Sequence, residues 1–139
     1  MKKKTISFVI ILAIFVSLVG ITIYVTHNKV NVNQENTVKV LFYYQDKQIE
    51  KILTDSESRT VLEILNNKQL YSKEYMGEPS CGFSKNISFQ VADEYFELAC
   101  DGCEYIYYEP IKKFIELDNN EMQLLHSIIE NNGGFFPCV

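Results

Sequence analysis

The chain has 139 residues, a formal net charge of −5 and 47% hydrophobic residues. That length supports one small domain once an N-terminal segment is set aside. The acidic balance argues against nucleic-acid binding, because phosphate groups repel an acidic domain.

The first 26 residues predict a membrane anchor. Three lysines at positions 2–4 precede an uncharged, proline-free apolar run, and a helix of about 20 residues spans the hydrocarbon core of a bilayer. Lysine flanks stay in the cytoplasm. We therefore expect residues 1–5 to be a cytoplasmic basic tail and residues 6–26 a single-pass transmembrane signal anchor. A cleaved signal peptide is the alternative, although this run is longer than the usual apolar core and residues 18–20 are a poor cleavage site.

The part of the chain that follows is predicted to lie outside the cytoplasm. Without the three N-terminal lysines, ten basic residues face eighteen acidic ones, a net charge of −8. Nucleic acids and anionic lipid surfaces would both repel such a domain. Residues 27–36 are polar and rich in asparagine and are predicted to be a flexible spacer. The folded domain is then expected to cover residues 37–139.

A hairpin followed by a helix is predicted at the start of this domain. Apolar residues alternate over 38–44, polar residues at 45–48 indicate a turn, and 49–53 form the return strand. Thr54 and Glu57 have the spacing of a capping box, and the apolar residues after them recur at helical intervals, which predicts a helix over 56–67. Residues 69–80 are predicted to form a loop.

The centre of the domain is predicted to be a three-stranded meander with two-residue turns at 93–94 and 101–102. Counting outwards from the first turn places Val91 opposite Phe96. In this register a nearly all-apolar set shares one face of the sheet. Its members are Ile87, Phe89, Val91, Phe96, Leu98, Cys100, Cys103, Tyr105 and Tyr107.

The rest of the chain predicts a second helix. Residues 111–117 favour one short edge strand, Asp118 and Glu121 have the spacing of a helix N-cap, and Gly133 stands where a C-cap glycine is expected. The predicted fold is α+β, with one small antiparallel sheet of about five strands and two helices packed on one face.

Three tyrosines are predicted to project from the sheet face opposite the helices, namely Tyr43, Tyr95 and Tyr108. With Ile106 beside them they would form an exposed patch of the kind that binds partners. The alternative is that the 69–80 loop covers this face.

Four cysteines, Cys81, Cys100, Cys103 and Cys138, all lie in the external part of the chain, where an even number predicts two disulfides. Three pairings are possible. Two long-range bonds would tie the 69–80 loop and the C-terminal tail to the central strands. A bond between Cys100 and Cys103 would instead join directly opposed residues beside a tight turn, leaving Cys81 to pair with Cys138.

Two sharper hypotheses concern the Cys100-Asp-Gly-Cys103 turn. Thioredoxin-like chemistry needs a cysteine at a helix N-terminus, whereas a strand pattern and acidic neighbours follow here. A zinc site usually needs two paired knuckles, and only one is present. No cofactor or metal is therefore expected. His126 is interpreted as a surface or boundary residue of the last helix, and His27 as part of the spacer.

The sequence thus predicts a membrane-anchored extracytoplasmic binding or interaction module that is not catalytic and is stabilised by two disulfides. Its partner would be a protein or a component of the cell envelope, and not nucleic acid. The alternative is a thiol-disulfide or metal-handling protein that uses the Cys100–Cys103 turn. The abundance of lysine, isoleucine and asparagine favours a bacterial source.

Overall fold

The computed structural model describes residues 10–20, 28–73, 82–99 and 103–134. Residues 10–20 form helix α1, and their side chains are exposed. Among the described residues, no helix is both long enough and apolar enough to cross a membrane. The predicted span, residues 6–26, extends beyond the described part of α1 at both ends, so the anchor stays a prediction.

Over its described residues, the domain consists of one antiparallel sheet, two α-helices and a short 3₁₀ helix. The strands are β1 (Val38–Tyr44), β2 (Lys47–Ile52), β3 (Leu70–Tyr71), β4 (Phe83–Val91), β5 (Glu94–Ala99), β6 (Tyr105–Tyr108) and β7 (Lys113–Glu116). The helices are α2 (Asp55–Leu65), the 3₁₀ helix Glu109–Ile111 and α3 (Asn119–Asn131). The strand order is β2-β1-β4-β5-β6-β7-β3.

The α+β class with a single antiparallel sheet is confirmed, but the expected number of about five strands was wrong. The sheet has seven strands: the short strand expected within residues 111–117 forms as β7, and β3, which was not expected, pairs with it and takes the edge of the sheet. β3 has only two residues, Leu70 and Tyr71. A strand this short has no alternation to detect, which is why it was included in the predicted 69–80 loop.

Both predicted helix starts are confirmed as capping boxes. The Thr54 hydroxyl accepts from the backbone N–H of Glu57 at 3.3 Å, and the Glu57 carboxylate accepts from the N–H of Thr54 at 3.0 Å. Asp118 and Glu121 repeat the arrangement at α3, at 2.8 and 2.9 Å. Gly133, just beyond α3, has a φ of +96°, the left-handed conformation that a C-cap glycine adopts.

Helix α2 links the two edges of the sheet, because it follows β2 at one edge and precedes β3 at the other. It must therefore cross one face of the sheet, called here the inner face. Helices α2 and α3 bury their apolar residues in the same core cluster as this face. The fully buried members include Val38, Phe89, Phe96, Leu98, Ile106, Ile115, Val61, Leu65, Leu125 and Ile129.

The first turn of the meander lies one residue earlier than predicted. It consists of Ala92 and Asp93, so that Val91 pairs with Glu94 and Phe89 with Phe96. The shift in pairing is two residues, so each side chain of β4 and β5 keeps its predicted face. It also brings two fully buried phenylalanines directly opposite each other.

The turn between β5 and β6 also differs from the prediction, and here the difference moves the side chains of β6 to the opposite face of the sheet. Phe96 pairs with Tyr108 and Leu98 with Ile106, whereas a two-residue turn would have paired Phe96 with Tyr107. A slip of one residue moves every side chain of β6 to the other face. The prediction that Ile106 is exposed was therefore wrong, since it is completely buried in the core. Isoleucine carries no polar group that needs a partner there, whereas Tyr105 and Tyr107 do.

The predicted spacer is also not free over residues 28–36. Val30 and Val32 are buried in the core cluster. The backbone of Val30 accepts from the N–H of Asn67 and donates to the carbonyl of Lys68, both at 2.9 Å. The domain thus includes residues 28–36, which the sequence had assigned to the spacer. Alternating asparagines made this segment look polar, although Val30 and Val32 between them face the core.

The β6 register predicts that two isoleucine-to-alanine substitutions lower the stability of the domain by very different amounts. Ile106→Ala removes a fully buried side chain and should lower the free energy of unfolding by about 2–5 kcal/mol. Ile52→Ala, at a residue that is 68% exposed, should change it by less than about 0.5 kcal/mol. Chemical denaturation of both variants measures the difference. If both substitutions lowered the free energy of unfolding by the same small amount, Ile106 would be exposed, as in the register expected from a two-residue turn.

Candidate functional site

The face of the sheet opposite the helices, called here the outer face, has its own line of side chains. The registers of neighbouring strands place one residue from each strand in a row. From β2 to β3 that row is Glu50, Leu41, Ser88, Glu97, Tyr107, Phe114 and Tyr71. The middle of the row is as well shielded from solvent as the core.

Glu97 lies at the centre of this row and is only 6% exposed. Ser88 of β4 is its neighbour on one side and Tyr107 of β6 on the other. Burial raises the pKa of the Glu97 carboxyl, Lys85 opposes that shift by its positive charge, and Glu109 adds to it. An acidic group in such a place favours its neutral form more than an exposed glutamate does.

Lys85 is the cation of this site. Its Nζ atom lies 3.1 Å from a carboxylate oxygen of Glu109 and 5.0 Å from the ring centre of Tyr95. The ammonium therefore interacts at once with a carboxylate and with the face of an aromatic ring. Both side chains of the ion pair are about half exposed, so solvent weakens the attraction.

A bulge in β4 positions Lys85. The pairing of β4 with β5 jumps between Ser84 and Ser88, which leaves three residues of β4 without a partner in β5. The Ser88 hydroxyl donates to the carbonyl of Lys85 at 2.8 Å, and the N–H of Asn86 donates to the Ser84 hydroxyl at 3.2 Å. Bulges redirect side chains in this way at functional sites.

Three aromatic rings extend the site towards β7. Phe83, Tyr107 and Phe114 lie with ring centres 5.3–6.0 Å apart in tilted arrangements. This spacing is within the range in which aromatic pairs attract each other. The outer face therefore combines a buried carboxyl, a lysine and several aromatic surfaces.

The predicted aromatic patch does not form as expected. Tyr43 is 40% exposed and Tyr95 is partly exposed, and both lie on the outer face. Gln90 pairs with both Tyr95 and Lys39, and Tyr43 lies four residues along β1 from Lys39. Tyr95 is thus level with Lys39, and Tyr43 lies roughly 13 Å from that level along the strand direction. They do not form one continuous patch.

Tyr108, the third predicted tyrosine, is in the core together with Ile106. Its ring stacks on that of Phe96 with centres 4.7 Å apart and planes 12° apart. Burial and a hydrogen bond to the Glu94 carboxylate raise the pKa of Tyr108. The hydroxyl is therefore a permanent donor, and the residue has a structural role.

Of the four cysteines, only Cys103 belongs to the described residues, and it is partly buried just before β6. Cys81, Cys100 and Cys138 lie outside them, so the disulfide prediction is not tested. The argument that Cys100 directly opposes Cys103 depended on the two-residue turn, which the pairing of Leu98 with Ile106 does not support.

His126 is half-buried on α3, in keeping with its interpretation as a boundary residue. Burial lowers the pKa of its imidazole, and Glu130 partly offsets that effect. Within the described ranges, no group of three or more histidine, cysteine, aspartate or glutamate residues is arranged to hold a metal ion.

Sequence reasoning missed Glu97 as a site residue. Its sequence position, an acidic residue between Phe96 and Leu98 in a predicted antiparallel strand, is typical of a side chain on a solvated face and gave no signal of burial. Comparisons with protein-family models, with curated proteins and with solved structures gave no significant match. The chemistry of the outer face is therefore the basis for a functional proposal.

The buried carboxyl predicts a specific dependence of stability on pH. Because folding raises the pKa of Glu97 above its ordinary 4.5, the folded state holds the proton longer than the unfolded state. Stability due to this group is then present below pH 4.5 and is lost as pH rises towards the raised value. Glu97→Gln should remove this loss and make the protein more stable than wild type at pH 7.

Urea denaturation between pH 4 and pH 8 measures this effect. Glu63→Gln, which changes an exposed carboxyl on α2, is the matched control and should leave the pH dependence as in wild type. A Glu97→Gln protein that is less stable than wild type at every pH would show instead that ionised Glu97 stabilises the fold through Lys85.

Proposed function

We propose that this chain is a single-pass membrane protein whose extracytoplasmic α+β domain binds a partner in the cell envelope without catalysing a reaction. The lysine-flanked apolar run of residues 6–26 supports the anchor and its orientation. The outer face around Glu97 is the proposed binding surface, and it replaces the patch expected from Tyr43, Tyr95, Ile106 and Tyr108.

The burial of Glu97 is the observation on which this proposal depends. Removing a carboxyl group from water costs free energy, and neighbouring Lys85 only partly offsets that cost, since the pKa remains raised. Residues that are unfavourable for folding and carry perturbed pKa values concentrate at functional sites. Glu97 is such a residue, at the centre of the face that the described helices leave uncovered.

The chemistry of the face favours a cationic group on the partner. The partly exposed rings of Tyr95 and Tyr107 offer surfaces to which cations are attracted, and the largely buried carboxyl of Glu97 lies next to them on the same face. Lys85 already shows this mode within the chain, because it contacts Tyr95 and Glu109 together. A lysine or arginine of a partner protein matches these groups, and the net charge of −8 outside the membrane acts in the same direction.

The same geometry supports binding rather than catalysis. Ser88 is the hydroxyl adjacent to Glu97 across the strands. It donates its proton to the backbone carbonyl of Lys85 at 2.8 Å. A serine nucleophile needs instead a side-chain base that accepts this proton.

Photo-crosslinking in the native membrane tests the proposed surface. A benzoylphenylalanine at Tyr95 should form an adduct with a partner, and this adduct should weaken when Glu97→Gln is added. Because Glu97→Gln is expected to stabilise the fold, a weaker adduct cannot be attributed to unfolding.

Two controls accompany this experiment. Glu63→Gln should leave the Tyr95 adduct intact, and the same photoreactive residue at Leu124, exposed on α3, should not give it. An adduct that Glu97→Gln does not change would rule out the outer face as the binding surface.

We also propose that Cys81, Cys100, Cys103 and Cys138 form two disulfides, as the extracytoplasmic location favours. Alkylation of the intact chain without reduction should add no groups, and alkylation after reduction should add four. Intact mass measures both. Addition of two groups without reduction would identify one reduced pair and support the alternative of thiol-disulfide chemistry.

A further inference from the structure

The end of helix α3 is tied to two other elements through Asn132. The side-chain amide of Asn132 donates to the Glu57 carboxylate at 3.0 Å and to the carbonyl of Ile128 at 2.9 Å. Its backbone carbonyl accepts from the ammonium of Lys51 in the edge strand β2. Both protons of the amide are therefore in use, and this one half-buried residue joins the start of α2, the end of α3 and β2.

Glu57 is an ionised carboxylate that needs a donor at position 132. Hydrogen bonds from the hydroxyl and the backbone N–H of Thr54 keep the pKa of its carboxyl below the ordinary value, and the bond from Asn132 acts in the same direction. The two oxygens have different partners. Oε2 accepts from the N–H of Thr54 and caps α2, whereas Oε1 accepts from Asn132.

The backbone that follows Asn132 requires glycine. Gly133 has a φ of +96°, a conformation that glycine adopts without strain and other residues do not. The chain then passes so close to α3 and β1 that a Cβ atom on Gly134 would clash with the Ile129 side chain and lie 3.0 Å from the Phe42 ring. The end of α3 thus places an asparagine directly before a glycine.

An asparagine in front of a glycine is chemically reactive. The backbone nitrogen of the glycine attacks the side-chain carbon Cγ, and its proton leaves with the side-chain nitrogen as ammonia. The product is a five-membered succinimide, in which one C–N bond has replaced another. Water then opens either C–N bond of the ring and leaves aspartate or isoaspartate. Glycine has no side chain to hinder the attack, and water is the one reagent consumed.

The folded chain holds the attacking nitrogen away from its target. The N–H of Gly133 donates to the carbonyl of Glu130 at 2.9 Å, and the amide of Asn132 is held by Glu57 and Ile128. These contacts belong to the last turn of a helix, which opens at a much smaller cost than the whole domain. The reaction therefore proceeds from molecules in which this turn is open.

We propose that Asn132 is a deamidation site, and that its modification irreversibly releases the end of α3 from the start of α2. The carboxylate formed has no N–H to donate, so it would face two acceptors, the Glu57 carboxylate and the Ile128 carbonyl. Like charges at this distance repel each other, and a negative charge is unfavourable at the C-terminal end of a helix. This inference does not depend on the proposed binding surface.

Peptide mass mapping of the full chain tests the site. After incubation in mildly alkaline buffer, Asn132 should be converted to aspartate and isoaspartate. Asn120, which precedes Glu121 in the first turn of α3, is the internal control and should change much less. The conversion of Asn132 should be faster in urea, where the last turn is open.

Two results of this mapping would contradict the proposal. Conversion of Asn132 that does not exceed that of Asn120 would show that position 132 is not a deamidation site. Equal rates in the folded and the urea-unfolded chain would show that the hydrogen bonds of the last turn do not control the reaction.

Asn132→Asp tests the consequence of the modification. It should shift the equilibrium between folded and unfolded protein by about tenfold towards unfolded, because two acceptors lose their donor. Glu57→Gln in the same background should recover most of this loss. A glutamine amide donates to the new carboxylate, and its oxygen still caps α2.

Asn131→Asp is the matched control, since it adds the same charge at the same helix end on an exposed residue. It should cost much less than Asn132→Asp, and urea denaturation of all four proteins with the wild type measures the differences. An equal cost for Asn131→Asp, or a loss in Asn132→Asp that Glu57→Gln does not reduce, would overturn the proposed release.

Discussion

The pairing of Phe96 with Tyr108 is the constraint on which the rest of the sheet depends. These rings stack directly across β5 and β6, and the Tyr108 hydroxyl donates a hydrogen bond to the Glu94 carboxylate. Since side chains alternate with period two, this single pair decides that Ile106 enters the core and that Tyr107 joins the outer face. A slip of one residue would bury two tyrosines under the helices and would remove Tyr107 from its place beside Glu97.

Local patterns in the sequence predicted much of the fold. Features that depend on residues far apart in the chain were not predicted. The capping boxes at Thr54 and Asp118 and the hairpin after Val38 depend on neighbours within a few residues. The β6 register depends on the length of a turn, and a count that is wrong by one residue changes the face of every side chain. Val30 is buried only because α2 and β3 come together beside it, which no pattern within residues 27–36 reveals.

The candidate site was predicted only in part, for the same reason. Tyr43 and Tyr95 were correctly placed on the outer face, whereas Ile106 and Tyr108 were assigned there by the wrong register. Glu97 became visible only when the neighbouring strands were in place, because its environment includes residues of other strands, Ser88 and Tyr107 among them. A glutamate in a strand is ordinary in sequence, and its environment makes it unusual.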